Sequence, residues 1–360
     1  MSCNSPLTVY QVYDYYGHFV KNFFYRHDDV LYPYPEKYRE YLQRCYDRQY
    51  TIYETVLPCG RCMGCRIDNA REYTVRMCLE AQMYPPDHCW DITLTYDDEH
   101  VPMNTVSVEC DSDTGEVLSS EGVLTLCYRD VKLFLMRLRK KLGESFRYSY
   151  VGEYGDDTRR PHYHLIIFGI SQDVIDPRFF KQSRSGFPIY ISEFLASCWS
   201  NGFVSVQRVE YGSLAYVAGY VTKKMIGKDS QSGLTWYEAN GLEPERRLSS
   251  NRPGIGLPWW NSLSDDEKAR YIGVNQIHVR RGLKDVISIP VPRYFLRHYN
   301  EEHPRFLDNN FCMNYVKNQE KFDYSVLLAC EQSDKTYLEI LEDRESILVN
   351  NNKRKRRNVQ

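Results

Sequence analysis

Arg160-Pro161-His162-Tyr163-His164-Leu165-Ile166-Ile167-Phe168 couples two imidazoles to an unbroken apolar run. On an extended strand, residues i and i+2 share a face and lie about 7 Å apart. His162 and His164 therefore point one way and Tyr163 the other. Glu153 ends the preceding apolar stretch, one polar loop (156–161) away, so antiparallel pairing would set it beside the histidines. Two imidazoles and a carboxylate with open positions suit a divalent cation: Mg2+ or Mn2+, or else Zn2+. The same spacing also fits two solvent-facing histidines on a half-buried strand, and Glu153 is what favours the metal.

Outward from this strand the signals are regular. Residues 90–96 alternate as a strand, with Ile92 and Leu94 on one face and Thr93 and Thr95 on the other. Residues 107–124, with the turn Asp113-Thr114-Gly115, read as an inserted hairpin. Val131, Phe134, Leu135, Leu138 and Leu142 repeat at helical spacing and predict a helix over 130–142 that stops at Gly143. Strands follow at 146–152 and 162–169, a helix at 191–199 before Asn201-Gly202, a strand at 203–209, and a helix capped by Ser213 and running to about 225. The order β-α-β-β-α-β-α predicts an α+β protein with a central, mainly antiparallel sheet. It is the split βαβ pattern, with helices on one side and extra N- and C-terminal elaborations.

The expected division is a tyrosine-rich segment (1–57), a cysteine cluster and helix (58–89, the helix over 68–81), a core (90–227), a C-terminal elaboration (228–349) and a basic disordered tail (350–360). No role is read for residues 1–52. Residues 251–258 are a Gly/Pro-rich turn region.

A chain of 360 residues with 42% hydrophobic residues can bury a large core. Its apolar runs are too short to span a bilayer, and the N-terminus lacks the layout of a signal peptide. A soluble, intracellular protein with no membrane partner is expected, its 12 cysteines serving as thiols or metal ligands. The net charge of -2 does not advertise a nucleic-acid binder, so local basic patches must carry any such function.

Tyr216-Val217-Ala218-Gly219-Tyr220-Val221-Thr222-Lys223-Lys224 places two phenols four residues apart, neighbours on a helix face. Tyr34/Tyr38, Tyr46/Tyr50 and Tyr150/Tyr154 share that spacing in this tyrosine-rich chain, and packing alone explains most such pairs. Gly219 between the phenols costs about 1 kcal/mol against alanine, which a purely structural helix would not favour. Ionising a phenol at pH 7 costs about 4 kcal/mol. A cation that polarises a phosphodiester supplies transition-state stabilisation of that order. A phosphotyrosine intermediate would conserve the energy of the broken ester for rejoining, and a second phenol on the same face would serve a second cut.

Cys59, Cys62 and Cys65 lie in Pro58-Cys59-Gly60-Arg61-Cys62-Met63-Gly64-Cys65. The next position of an iron–sulfur run is Asn69 rather than cysteine. A structural Zn2+ completed by Cys45, Cys78 or Cys89 and a set of spare reduced thiols both fit. Basic residues gather at Arg137, Arg139, Lys140 and Lys141, at Arg159 and Arg160, at Lys223 and Lys224, and at 353–357. The first three groups are expected to flank the site and bind DNA phosphates, with aromatic side chains stacking on unpaired bases.

Taken in order, the cysteine cluster, Asp91-Ile92-Thr93-Leu94-Thr95-Tyr96-Asp97-Asp98, Arg137-Leu138-Arg139-Lys140-Lys141-Leu142, Gly152-Glu153-Tyr154-Gly155, the His162/His164 motif, the Tyr216/Tyr220 motif and Arg252-Pro253-Gly254-Ile255-Gly256 resemble the replication initiators of gokushovirus-type single-stranded DNA phages (Microviridae). These belong to the HUH endonuclease superfamily, and the resemblance covers roughly residues 58–256. It implies a metal-dependent nickase and strand-joining transesterase of rolling-circle replication. His162, His164 and Glu153 (or, in competition, Asp97) would hold the metal. Tyr216 and Tyr220 would be the nucleophiles, assisted by Lys223. The implied partners are viral origin DNA, single-stranded or supercoiled, and host helicase and polymerase in the bacterial cytoplasm. Residues 106–124 exceed the family's usual length. Two further classes remain open at this point: a zinc hydrolase using metal-bound water, and a non-catalytic cysteine–zinc DNA-binding module.

Overall fold

The computed structural model describes residues 3–26, 36–110, 114, 117–155, 158–183, 186–220, 235–280, 285–303, 321 and 324–358. The chain forms two compact units, Met1–Asn69 with Pro304–Gln360, and Ala70–His303.

In the first unit, β1 (Leu7–Tyr13) lies between β2 (Phe19–Arg26) and β3 (Thr51–Leu57) in an antiparallel sheet. Helix α1 (Glu36–Asp47) sets Leu42 and Cys45 against Tyr10 and Val12. Helix α2 (Met63–Ala81) starts directly after the cysteine cluster. A C-terminal helix spans Tyr337–Asn358. It therefore includes most of the stretch expected to be disordered, 350–360. Ile340 and Leu341 are buried against Val326, and Thr336 and Glu339 bond reciprocally at the N-terminus. Once that first turn is fixed, propagation through lysine and arginine, both good helix formers, is easy.

The second unit is built on a seven-stranded sheet from β4 (Cys89–Tyr96), β7 (Arg147–Tyr154), β8 (Pro161–Phe168), β9 (Arg178–Gln182), β10 (Pro188–Ile191), β11 (Gly202–Arg208) and β12 (Arg247–Ser249). The spatial order is β12-β7-β8-β4-β11-β10-β9, every pair antiparallel. The inserted hairpin β5 (Met103–Cys110) and β6 (Val117–Leu124) forms its own two-stranded sheet, as expected. Of its expected turn, Asp113 and Gly115 lie outside the described residues. Helix α3 (Tyr128–Leu142) connects β6 to β7 and ends at Gly143, whose φ of 69° suits a residue without Cβ. The expected helix over 191–199 is a correction. Ile191 ends β10, and only α5 (Glu193–Ala196) is helical, capped by the Ser192 hydroxyl.

Helices cover both sheet faces, not one. Trp90, Ile92, Leu94, Tyr163, Leu165 and Ile167 pack with α3 through Val131, Phe134, Leu135 and Leu138. On the opposite face, Val151, Ile166 and Phe168 pack with Val75, Met77 and Leu79 of α2 and with Leu214, Val217 and Ala218 of α6 (Tyr211–Gly219). Trp260, Ile272 and Phe295 close this core; they belong to α8 (Leu257–Asn261), α9 (Asp265–Val274) and α10 (Arg293–Glu302), which follow the short α7 (Trp236–Ala239). The unbroken run Leu165–Phe168 carries the signal, since a strand that is apolar at consecutive positions is covered on both faces.

The Arg252-Pro253-Gly254-Ile255-Gly256 motif is part of this packing. Buried Glu80 pairs with Arg147 and accepts the Gly256 N–H at 2.6 Å, while Arg147 donates to the Pro253 carbonyl at 3.0 Å. Gly256 has φ 82°, and a Cβ there would lie 2.9 Å from the Arg76 carbonyl oxygen.

Candidate metal and nucleophile centre

The apolar layer on the α6 face of the sheet stops where β8 changes from Ile166 to His164 and His162. The β7–β8 register pairs Glu153 with His162 and Val151 with His164, so the carboxylate and both imidazoles share a face. Tyr163 points to the other core, where its hydroxyl accepts the Cys127 N–H at 2.6 Å and so holds the start of α3. Both expectations from strand periodicity are met.

Glu153 is buried, and its Oε2 lies 3.0 Å from His162 Nε2 and 3.1 Å from His164 Nε2. The far side of each ring is also engaged. His162 Nδ1 lies 3.2 Å from the Arg160 carbonyl oxygen, and His164 Nδ1 lies 3.3 Å from Thr93 Oγ1. A carbonyl only accepts, so a bonded His162 Nδ1 carries the proton and its Nε2 presents a lone pair to Glu153. This outer hydrogen bond fixes a metal-ligating imidazole in its ligating tautomer.

Helix α6 delivers the phenols. The Glu210 backbone N–H donates to the Ser213 hydroxyl at 3.0 Å, so the helix begins at Tyr211, two residues before the expected cap, and Ser213 lies inside its first turn. Gly219 is its last residue, and Tyr220 keeps helical dihedrals of φ -58° and ψ -28°. The four-residue spacing therefore brings both phenols to one place. Their rings lie 4.9 Å apart, and those of His164 and Tyr220 stack at 5.7 Å. Tyr216 donates to Glu153 Oε2 at 3.3 Å, and Tyr220 donates to the same oxygen. Tyr216 is 40% exposed and Tyr220 only 3%. Burial first, and then the negative charge of Glu153, push the Tyr220 phenol well above its ordinary pKa.

One carboxylate oxygen is thus approached by two imidazole nitrogens and two hydroxyls, more than its lone pairs can satisfy. Ligands held at right angles around a small divalent cation at about 2.1 Å lie about 3.0 Å apart. The spacing and chemistry of Glu153, His162 and His164 match such a cation, and the three ligand atoms lie within 4.8 Å of one another. Asp97, the competing third ligand, is instead occupied by His100 at 2.7 Å, in an exposed turn.

The basic residues divide. Arg160 lies beside the site, donating to the Tyr96 carbonyl at 3.0 Å and pairing with Asp98 at 2.7 Å, and Arg159 stacks over Trp236. Arg137, Arg139, Lys140 and Lys141 do not flank the site, because α3 packs on the other face of the sheet. Arg137 donates to the Cys198 carbonyl, Lys141 to the Ser197 carbonyl and hydroxyl, and Arg139 covers the Phe146 and Tyr148 rings. Lys223 and Lys224 lie outside the described residues.

The cysteine cluster was read without its fourth member. Cys3 joins Cys59, Cys62 and Cys65, their sulfurs within 4.8 Å of one another. Cys45 is buried with Leu42, and Cys78 and Cys89 lie in the core beneath the sheet, so none of the expected fourth ligands reaches the cluster. Cys3 stands 56 residues before Cys59, and nothing in local spacing points to it.

Two imidazoles, a carboxylate and two phenols on one face of an antiparallel sheet define a site equipped to bind a cation and offer a nucleophile. Comparison with known proteins gives the family. Residues 89–225 match the family model of the ORF2-type replication-associated protein. The chain is 29% identical to the replication-associated protein ORF2 of Spiroplasma virus 4 over 84% of this chain and 85% of that protein. It is 29% identical to the replication-associated protein VP4 of Bdellovibrio phage phiMH2K over 69% of this chain and 68% of the relative. A shorter match, 28% identical over 47% of this chain and 39% of the relative, joins it to the replication-associated protein ORF4 of Chlamydia phage 1. The chain belongs to this family of phage replication-associated proteins. No solved structure matches it. Among the described residues no helix is long and apolar enough to cross a membrane.

Proposed function

We propose that this chain initiates phage DNA replication as an HUH-type nickase, cutting one strand at the origin with a tyrosine nucleophile and remaining joined to its 5′ phosphate. The observation that carries the reading is the convergence of Tyr216, Tyr220, His162 and His164 on Glu153 Oε2. The strand order supports it too: β4 and β7, linked through α3, flank β8 as in a split βαβ sheet.

Glu153, His162 and His164 hold a divalent cation, Mg2+ or Mn2+. When bound, the cation neutralises charge on the scissile phosphate and its leaving oxygen. The half-exposed Tyr216 makes the first cut: its phenolic oxygen bonds to phosphorus as the bond to the 3′ oxygen breaks. Glu153 Oε2, 3.3 Å from that hydroxyl, accepts its proton. Tyr220 acts in the second cut, once its phenol leaves Glu153, and Lys223 assists with its positive charge. The ester bond kept in the phosphotyrosine allows the displaced strand to be rejoined without ATP. Arg159 and Arg160, at the mouth of the site, bind the phosphates, and host helicase and polymerase take over the nicked duplex. A zinc hydrolase would have no use for two phenols on its carboxylate. The test is covalent capture of origin DNA: the adduct forms with Mn2+ or Mg2+ in the wild type and is lost in Tyr216→Phe/Tyr220→Phe. Cleavage by that folded double variant would refute the proposal.

A further inference from the structure

We infer that Cys3, Cys59, Cys62 and Cys65 hold one structural zinc ion, which ties the N-terminal segment of the first unit to the start of α2. The assignment is independent of the nickase reading, since it uses none of the same residues.

The sulfurs are arranged for one ion. Cys59 Sγ lies 4.0 Å from Cys65 Sγ, and Cys62 Sγ lies 3.9 Å from Cys3 Sγ. A disulfide requires about 2.05 Å, and all four cysteines are free. Thiolates bound tetrahedrally at about 2.3 Å lie about 3.8 Å apart. A set of sulfurs confined within 4.8 Å of one another suits a single ion rather than a multinuclear cluster.

The backbone is arranged for thiolates. Cys59 Sγ accepts the N–H groups of Arg61 at 3.3 Å and Cys62 at 3.2 Å. Cys62 Sγ accepts those of Cys65 at 3.5 Å and Asn4 at 3.3 Å, and Cys3 Sγ accepts that of Cys59 at 3.2 Å. Gly60, at φ 72°, makes the tight turn that aims these groups. Amide donors favour the charged form of sulfur, and an ion with four thiolates leaves a net negative charge for them to offset.

Glu345 of the C-terminal helix completes the arrangement. Its carboxylate accepts the Met63 N–H at 2.6 Å, at the first residue of α2, and the Asn4 side-chain N–H at 3.0 Å. The ion thus sits where segments from both chain ends meet inside the first unit. That unit has only small cores, Tyr10 with Val12, Leu42 and Cys45, and Val326 with Ile340 and Leu341. Small units of this kind draw folding energy from a metal.

The experiment is elemental analysis of the full-length chain purified without chelator, followed by replacement of its metal with Co2+. One zinc per chain is expected in the wild type and in His162→Ala/His164→Ala, falling to none in Cys3→Ala and Cys62→Ala and unchanged in Cys127→Ala. The Co2+ form of the wild type should show the intense visible bands of a tetrahedral thiolate centre, a reading that needs no variant to fold. The inference is overturned if the wild type carries iron or no metal there, if the four thiols alkylate freely, or if Cys3→Ala keeps its zinc.

Discussion

The two ligand clusters of this chain are assembled by opposite routes. Glu153, His162 and His164 come from two adjacent strands joined by a short connection, so strand period and pairing register suffice to bring them together. The cysteine cluster closes a loop of more than fifty residues, from Cys3 to Cys59, and depends on β1 and β3 pairing first. A local cluster is robust to changes elsewhere in the chain. A long-range one draws its stability from the loop it closes and returns it to the surrounding unit.

The sharpest way to separate the two is to break each. His162→Ala should lower DNA nicking by ~1,000-fold or more, with folding and zinc content preserved, as measured by cleavage of labelled origin DNA. Cys62→Ala should instead lose zinc and expose residues 3–26 to limited proteolysis. If it abolished metal-dependent nicking without loosening the first unit, the division of labour between the clusters would be wrong.

The second contrast lies inside the catalytic cluster. Tyr216→Phe should remove the first covalent adduct, a loss of ~1,000-fold or more. Tyr220→Phe should still form that adduct while failing in strand transfer. Equal adduct formation by the two variants, followed on a denaturing gel, would contradict the order set by their exposure.

A structural contrast comes next. Gly256→Ala forces Cβ against Arg76 at a positive φ and should cost about 1–3 kcal/mol in thermal or denaturant unfolding. Gly219→Ala meets nothing within 4 Å and should leave stability nearly unchanged or slightly raised.

A smaller effect is expected at Asp91, on β4 opposite Ile166 and Gln207, where Oδ1 is buried without a hydrogen-bond partner among the described residues. Burial raises its carboxyl from 3.8 to about 7. A carboxyl raised on folding favours the folded state while protonated, so stability falls as pH rises from about 3.8 through about 7. Asp91→Asn should raise the melting temperature at pH 8 and have little effect at pH 4. A gain of equal size at both pH values would remove the ionisation from the explanation.

Much of this architecture was legible because it is local. Alternation placed β4 and β8, helical spacing placed α3, and Gly143 marked its end. The positions read for the metal and the phenols are the ones that converge. What escaped was decided by tertiary contact. The hairpin β9–β10 has no inward-facing alternation, every residue of β9 being exposed, so it gave no strand signal. The basic end of α3 was read as facing the site because sequence does not say which sheet face a helix covers. Cys3 was missed because its partners are distant in the chain, and the last turns of the C-terminal helix because polar composition looked like disorder when its anchor, Ile340 and Leu341, lay upstream.

The central claim is that a phenol, aligned by Glu153 and the two histidines, becomes covalently joined to DNA. The direct measurement is mass spectrometry of the peptide that carries nucleotide after the full-length chain is mixed with Mn2+ and single-stranded origin DNA. The account predicts a phosphodiester on Tyr216, absent with EDTA and in His162→Ala. Cut DNA with a free 5′ phosphate and no modified tyrosine would contradict it.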